Sequence, residues 1–234
     1  MMLGVIVNSL AVLLGSTVGL LCKKGIPEKV SKAIMTGIAL CTIYIGISGT
    51  LKGENTLVLI LSMVFGAAVG TLLDLDGLIT KLGSALERKF QREDGRVSIT
   101  EGFVTASLLF CVGAMTIVGS LNAGLNGDNE MLYTKSLLDL ISSCMLSVTL
   151  GIGVLLSAAF VFVFQGALVL LAQVLAPVLT DAAVAELTCA GSLLILALGL
   201  NLLGVTKIKA ANYLPALLFA PLFTWLFTLL PVSV

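Results

Sequence analysis

The 234-residue chain contains no histidine. That removes the commonest metal ligand and the usual proton shuttle near neutral pH. Charge is scarce as well. Asp, Glu, Lys and Arg make up 11% of the residues, against about 25% in soluble domains. Net charge is zero and there is no basic tail, so nucleic acid is not an expected partner. Cys22, Cys41, Cys111, Cys144 and Cys189 form no C-x-x-C pair and lie in or beside apolar runs. They read as small buried hydrophobes, and no metal or other cofactor is expected. No nucleophile–base pair and no paired carboxylate set is present. Gly124-Leu-Asn-Gly127-Asp128 is too short and wrongly placed to cradle phosphate. Nothing in the chain therefore points to an enzyme.

What is abundant is hydrocarbon. Hydrophobic residues make up 58% of the chain and its mean hydropathy is +1.13. The fold class that follows is all-α, a polytopic membrane protein forming one integral domain over 1–234. A crossing needs roughly 20 apolar residues, so the length allows about eight Gly-rich helices with short loops and no soluble domain. The apolar runs fall near 3–22, 31–51, 56–75, 102–121, 184–205 and 211–230. The longest, Ser136 to Ala176, exceeds one crossing at about 1.5 Å per residue. It reads as two spans with a tight turn near Gly151–Ser157. Lys23 and Lys24 follow the first run rather than precede it, the wrong order for a secretory signal. Residues 3–22 are therefore read as a retained first span.

The charges test the count. Lys and Arg favour the cytoplasmic side. With the N-terminus outside and eight spans, the inside loops hold Lys23, Lys24, Lys29, Lys32, Lys81, Arg88, Lys89, Arg92, Arg96, Lys207 and Lys209. The outside loops hold only Lys52 and Lys135. Both termini are then outside. Residues 78–101 form a cytoplasmic connector, in which Leu78, Leu82, Leu86 and Phe90 recur at the spacing of an amphipathic helix lying in the headgroup plane.

Glycines recur within the spans. Gly15-Ser-Thr-Val-Gly19 and Gly66-Ala-Ala-Val-Gly70 suit close helix approach, which supplies packing where lipid removes the hydrophobic drive. Gly113-Ala-Met-Thr116-Ile-Val-Gly119 leads into a Gly/Asn turn and reads as a candidate helix break. An echo between Gly37–Gly46 and Gly191–Gly199 suggests an inverted repeat of spans 1–3 and 6–8, a device common in transporters.

Polar groups in hydrocarbon need partners. The candidates for a substrate or ion pathway are Asn8, Thr116, Lys135, Asp139, Asn201 and Asn212; Ser142, Ser143 and Gln165 also lie in spans. Asp139 reads as the one carboxylate set inside a long apolar run. Lys135 precedes it by four residues, so the two share a helix face. Two readings stay open for them: a coupling carboxylate at a cavity mouth, or an ion pair closing a helix end.

Several segments together are familiar. Gly4-Val-Ile-Val-Asn8-Ser-Leu-Ala-Val-Leu-Leu-Gly15 opens the chain. Ile26-Pro-Glu28, Ile45-Gly-Ile47, Gly66-Ala-Ala-Val-Gly70 and Leu109-Phe-Cys111 follow. Gly124-Leu-Asn-Gly-Asp128, Lys135-Ser-Leu-Leu-Asp139, Leu150-Gly-Ile152 and Asn212-Tyr-Leu-Pro-Ala-Leu-Leu218 complete the set. In this order they resemble the YqgA-like family, a bacterial membrane-protein family catalogued as a domain of unknown function. The resemblance implies a multi-pass protein of the bacterial inner membrane and no substrate.

The function expected is that of a small secondary transporter or channel-like permease. Its partners would be the bilayer and a small solute or ion, with homo-oligomerisation left open. The alternative is a non-transporting membrane scaffold or regulator. A transporter calls for Asn8, Asp139 and Asn201 to converge on one cavity.

Overall fold

The computed structural model describes residues 2–23, 28–78, 81, 99–112 and 114–229. Most of the connector over 78–101 and the candidate break residue Gly113 lie outside them. Among the described residues the regular structure is all helical, with no strand. In chain order the helices are α1 (Leu3–Lys23), α2 (Glu28–Thr50), α3 (Thr56–Leu72), α4 (Ile99–Cys111) and α5 (Ala114–Asn126). Then come α6 (Glu130–Leu150), α7 (Ile152–Leu170), the short α8 (Ala172–Leu175), α9 (Asp181–Leu202), a 3₁₀ turn (Ala210–Tyr213) and α10 (Ala216–Leu229). Five stretches are long and apolar enough to cross a bilayer, and the bent pair α4–α5 makes a sixth. The chain is a membrane-embedded helical protein.

Close contacts fix how the helices run. Gly4 donates its N–H to Asn129 Oδ1, Gly15 lies against Leu140 and Gly19 against Cys144. The offset is constant, so α1 and α6 are parallel and in register. A Cβ on Gly15 or Gly19 would run into the carbonyl oxygen of Leu140 or Cys144. Only glycine lets the two backbones meet this closely. The pair α2 and α9 is antiparallel, with Gly46 on Leu196 and Gly199 on Ile43. So is α3 with the last hairpin, where Gly66 meets Ala216 and Gly70 meets Asn212.

The Ser136–Ala176 run divides as its length requires. Gly151, at φ +73°, sits between α6 and α7, a backbone geometry that L side chains rarely adopt. The pair α4–α5 is more unusual. α4 and α5 meet at a bend of 59°. Yet α4 starts beside the start of α7, Gly102 against Gly153, and α5 ends beside its end, Gly124 against Val169 and Ala172. The bent pair thus runs alongside α7 from one face of the protein to the other. Face one carries residues 51–55, 127–129 and 171–180; face two carries 74–78 and 203–209.

Candidate functional site

Four elements, α1, α4–α5, α6 and α7, enclose an interior whose composition changes with depth. Near face one it is apolar: Val5, Ala123, Leu132 and Val169 form one cluster. Toward face two it is apolar again, with Val12, Phe110, Leu146, Val154 and Val161 in another. Helical spacing shows what lies between. On α1, Asn8 falls between Val5 and Val12. On α7, Gln165 falls between Val169 and Val161. On α5, Ser120 and Thr116 precede Ala123 on its own face. On α6, Ser136 and Asp139 fall between Leu132 and Leu146. A polar layer about two helical turns deep therefore interrupts an otherwise apolar core: Asn8, Ser120, Gln165 and Ser136 come first, and Thr116 and Asp139 lie about one turn nearer face two, beside the bend of α4–α5.

Within the layer Lys135 Nζ donates to Asp139 Oδ2 at 2.5 Å, with side chains only 8% and 7% exposed. The ammonium also stands 6.0 Å from the centre of the Phe110 ring, a favourable face for a cation. The Asn8 amide faces the Asp139 carboxylate from α1 but closes no hydrogen bond with it. Ser136 Oγ donates to the Leu132 carbonyl and Ser143 Oγ to that of Leu140. Thr116 Oγ1 donates to the Phe110 carbonyl at 2.9 Å and so ties α5 to α4 across the bend. Asn8, Gln165 and Ser120 are fully buried. Neither polar atom of Asn8 or of Gln165 has a hydrogen-bond partner, nor does Ser120 Oγ. Buried polar atoms are rarely left this way, because each costs about 1–3 kcal/mol.

Two cavities flank the pair on the α2 side. One, of about 370 Å³, reaches toward face one and is lined by Tyr44, Ser48, Lys52, Thr116, Lys135 and Asp139, among others. The other, of about 540 Å³, reaches toward face two past Ile34, Cys41, Ser142 and Met145. Both are bounded by Ile45, Leu109 and Asp139.

Asn8, Thr116, Lys135 and Asp139 thus come together. Asn201 does not join them. Its side chain accepts from the Ile208 N–H and Thr206 Oγ1 and donates to the Ile208 carbonyl, holding the loop after α9 at face two. Asn212 is also apart, where its Oδ1 accepts the Asp76 N–H at 2.8 Å. Gly119 packs near Met131 and Leu132 of α6. No group of three or more potential metal-ligating side chains occurs among the described residues.

Asp139 is not the one carboxylate inside a span. Glu186, on α9, is 2% exposed. Its Oε1 accepts the N–H groups of Glu54 and Asn55 at 2.6 and 2.7 Å, pinning the α2–α3 turn. The sequence places Glu186 at the start of an apolar run, where a charge passes for a solvated helix end. Gln165 and Ser120 gain their meaning only from the register of four helices that are distant in sequence.

The family model described as "Protein of unknown function (DUF554)" matches residues 3–225. The chain is 33% identical over 224 residues to the uncharacterized membrane protein YdfK of Bacillus subtilis, covering 94% of each. It is 31% identical over 223 residues to the uncharacterized protein YqgA of Escherichia coli, covering 94% of the chain and 95% of the relative. No solved structure matches.

Proposed function

The chain belongs to the DUF554 family, and from that premise we propose that it is a small secondary transporter or channel-like permease of the bacterial inner membrane. The observation that carries this reading is the position of Asp139. It bounds a cavity directed to each face, with its charge held by Lys135 beside a bent span. Ionisable groups inside a bilayer are costly and mark ion or substrate paths. Bent or discontinuous spans are the usual builders of such sites.

Eight crossings are part of the proposal. The helix directions support it: α1, α3, α6 and α9 run from face one to face two, and α2, α4–α5, α7 and α10 return. The gathering of lysines and arginines in the loops of face two supports an orientation with face one, and both termini, outside. An inverted repeat is supported too. Exchanging spans 1, 2 and 3 with 6, 7 and 8, and span 4 with span 5, reverses every direction. It leaves the packed pairs α1·α6, α4–α5·α7, α2·α9, α3·α10 and α1·α7 in place.

The test is flux. Purified protein in liposomes, with a proton or Na⁺ gradient and a trapped indicator dye, should dissipate the gradient faster than protein-free vesicles. The double variant Lys135→Met with Asp139→Asn should abolish the difference. Equal rates with and without wild-type protein would favour a scaffold.

A further inference from the structure

Three elements bring hydrogen-bond donors to the cavity directed to face one. Helical spacing sets Tyr44 with Ser48 on one face of α2 and Thr188 with Ser192 on one face of α9, and all four line the cavity. A Cβ on Gly49 would fall on Ser192 Oγ, so that glycine lets α9 bring this face against α2. Thr188 is 5% exposed, and its Oγ1 is buried with no hydrogen-bond partner. α6 contributes Lys135. An ammonium has three N–H donors, and Lys135 directs one of them to Asp139. Lys52, from the α2–α3 turn, is an exposed member of the same lining. It has no ion-pair partner among the described residues.

Charge and volume define the occupant. Asp139 is the one acidic side chain among the residues lining this cavity, against Lys52 and Lys135. Glu186, the buried carboxylate of α9, does not line it, and its Oε1 is taken by the amides of Glu54 and Asn55. The lining therefore carries one positive charge in excess and suits a monoanion. A cation would add to that excess in a medium of low dielectric. The volume of about 370 Å³ falls at the lower end of ligand sites, about 300–1,000 Å³, and exceeds what a halide fills. Val112, Leu138 and Ile195 supply an apolar wall for a short hydrocarbon body. We infer that this cavity binds a short-chain monocarboxylate, its carboxylate among Lys135, Thr188 and Ser192, its charge balanced by Lys52 and its hydrocarbon on that wall. The inference rests on the reading of the cavity as a half-path to Asp139 and names the substrate class.

The experiment is thermal unfolding and isothermal titration of the purified full chain in nonionic detergent. Sodium acetate, propionate or butyrate replaces sodium chloride at constant ionic strength. Propionate and butyrate should raise the unfolding midpoint to a plateau, because a ligand of the folded state alone stabilises it. Succinate should not match them. Thr188→Val removes an unpaired hydroxyl and Lys52→Gln an exposed charge, so both should fold as well as wild type. Each should weaken the apparent affinity by about tenfold, as expected for one lost contact to a carboxylate. Thr17→Val, which removes an exposed hydroxyl from α1, should leave the affinity unchanged. A wild-type midpoint insensitive to all three monocarboxylates would overturn the inference. So would undiminished affinity in both Thr188→Val and Lys52→Gln. Affinity that rises steadily with chain length on to decanoate would make the occupant a lipid chain and overturn it too. Binding without gradient-driven flux would keep the site and retire the transporter; flux without binding would do the reverse.

Discussion

Lys135 and Asp139 behave as one unit because both are buried. An exposed pair would contribute about 0–1 kcal/mol. Removing one member of a buried pair strands the other charge and costs about 3–5 kcal/mol. Asp139→Asn alone should therefore destabilise the protein strongly. Lys135→Met with Asp139→Asn should recover most of that loss, since no charge is left uncompensated. A double-mutant cycle on unfolding midpoints measures the coupling. Additive single effects would mean that the two side chains are solvated rather than buried. Glu186 offers a second residue-scale prediction. Glu186→Gln keeps an oxygen for the Glu54 and Asn55 amides and should be mild. Glu186→Leu deletes both bonds to a charged acceptor, each about 1.5–3 kcal/mol, and should lower the midpoint clearly.

At the scale of elements, the α1–α6 seam and the α4–α5 bend decide whether the polar layer forms. Gly15→Ala puts a methyl into the Leu140 carbonyl and Ser143 hydroxyl, so α1 must withdraw and carry Asn8 away from Asp139. Overpacking of this kind costs about 1–3 kcal/mol. Gly37→Ala, with nothing within 4 Å, is the matched control and should leave the midpoint unchanged. Gly15 and Gly19 were legible in the sequence as packing glycines, because G-x-x-x-G sets one helix face. The tight turn at Gly151 was legible from the length of the run around it. What stayed hidden was register. Asn8 and Gln165 meet at one depth only because α1 lies against both α6 and α7, and no local pattern encodes that. Asn201 looked like a site residue for the same reason. Its true partners, Thr206 and Ile208, are close in sequence but become visible only once the chain turns at Gly204, φ +74°.

At the scale of the molecule, the proposed eight alternating crossings make a sharp claim about sidedness. In a background without reactive native thiols, Asp128→Cys at face one should label from outside intact cells. Thr206→Cys at face two should label only after permeabilisation. The reverse pattern would invert the proposed topology. The larger claim is that the two cavities are watery half-paths meeting at Asp139 rather than grooves filled by lipid tails. Cys41 lines the face-two cavity natively, and Ser48→Cys would line the face-one cavity. The decisive measurement is their reaction with a membrane-impermeant thiol reagent in oriented vesicles. The account predicts that a cysteine at 48 reacts from the outside and Cys41 from the cytoplasmic side, each blocked from the other. If both react only with a lipid-soluble reagent, the cavities hold lipid, and the path through Asp139 is contradicted.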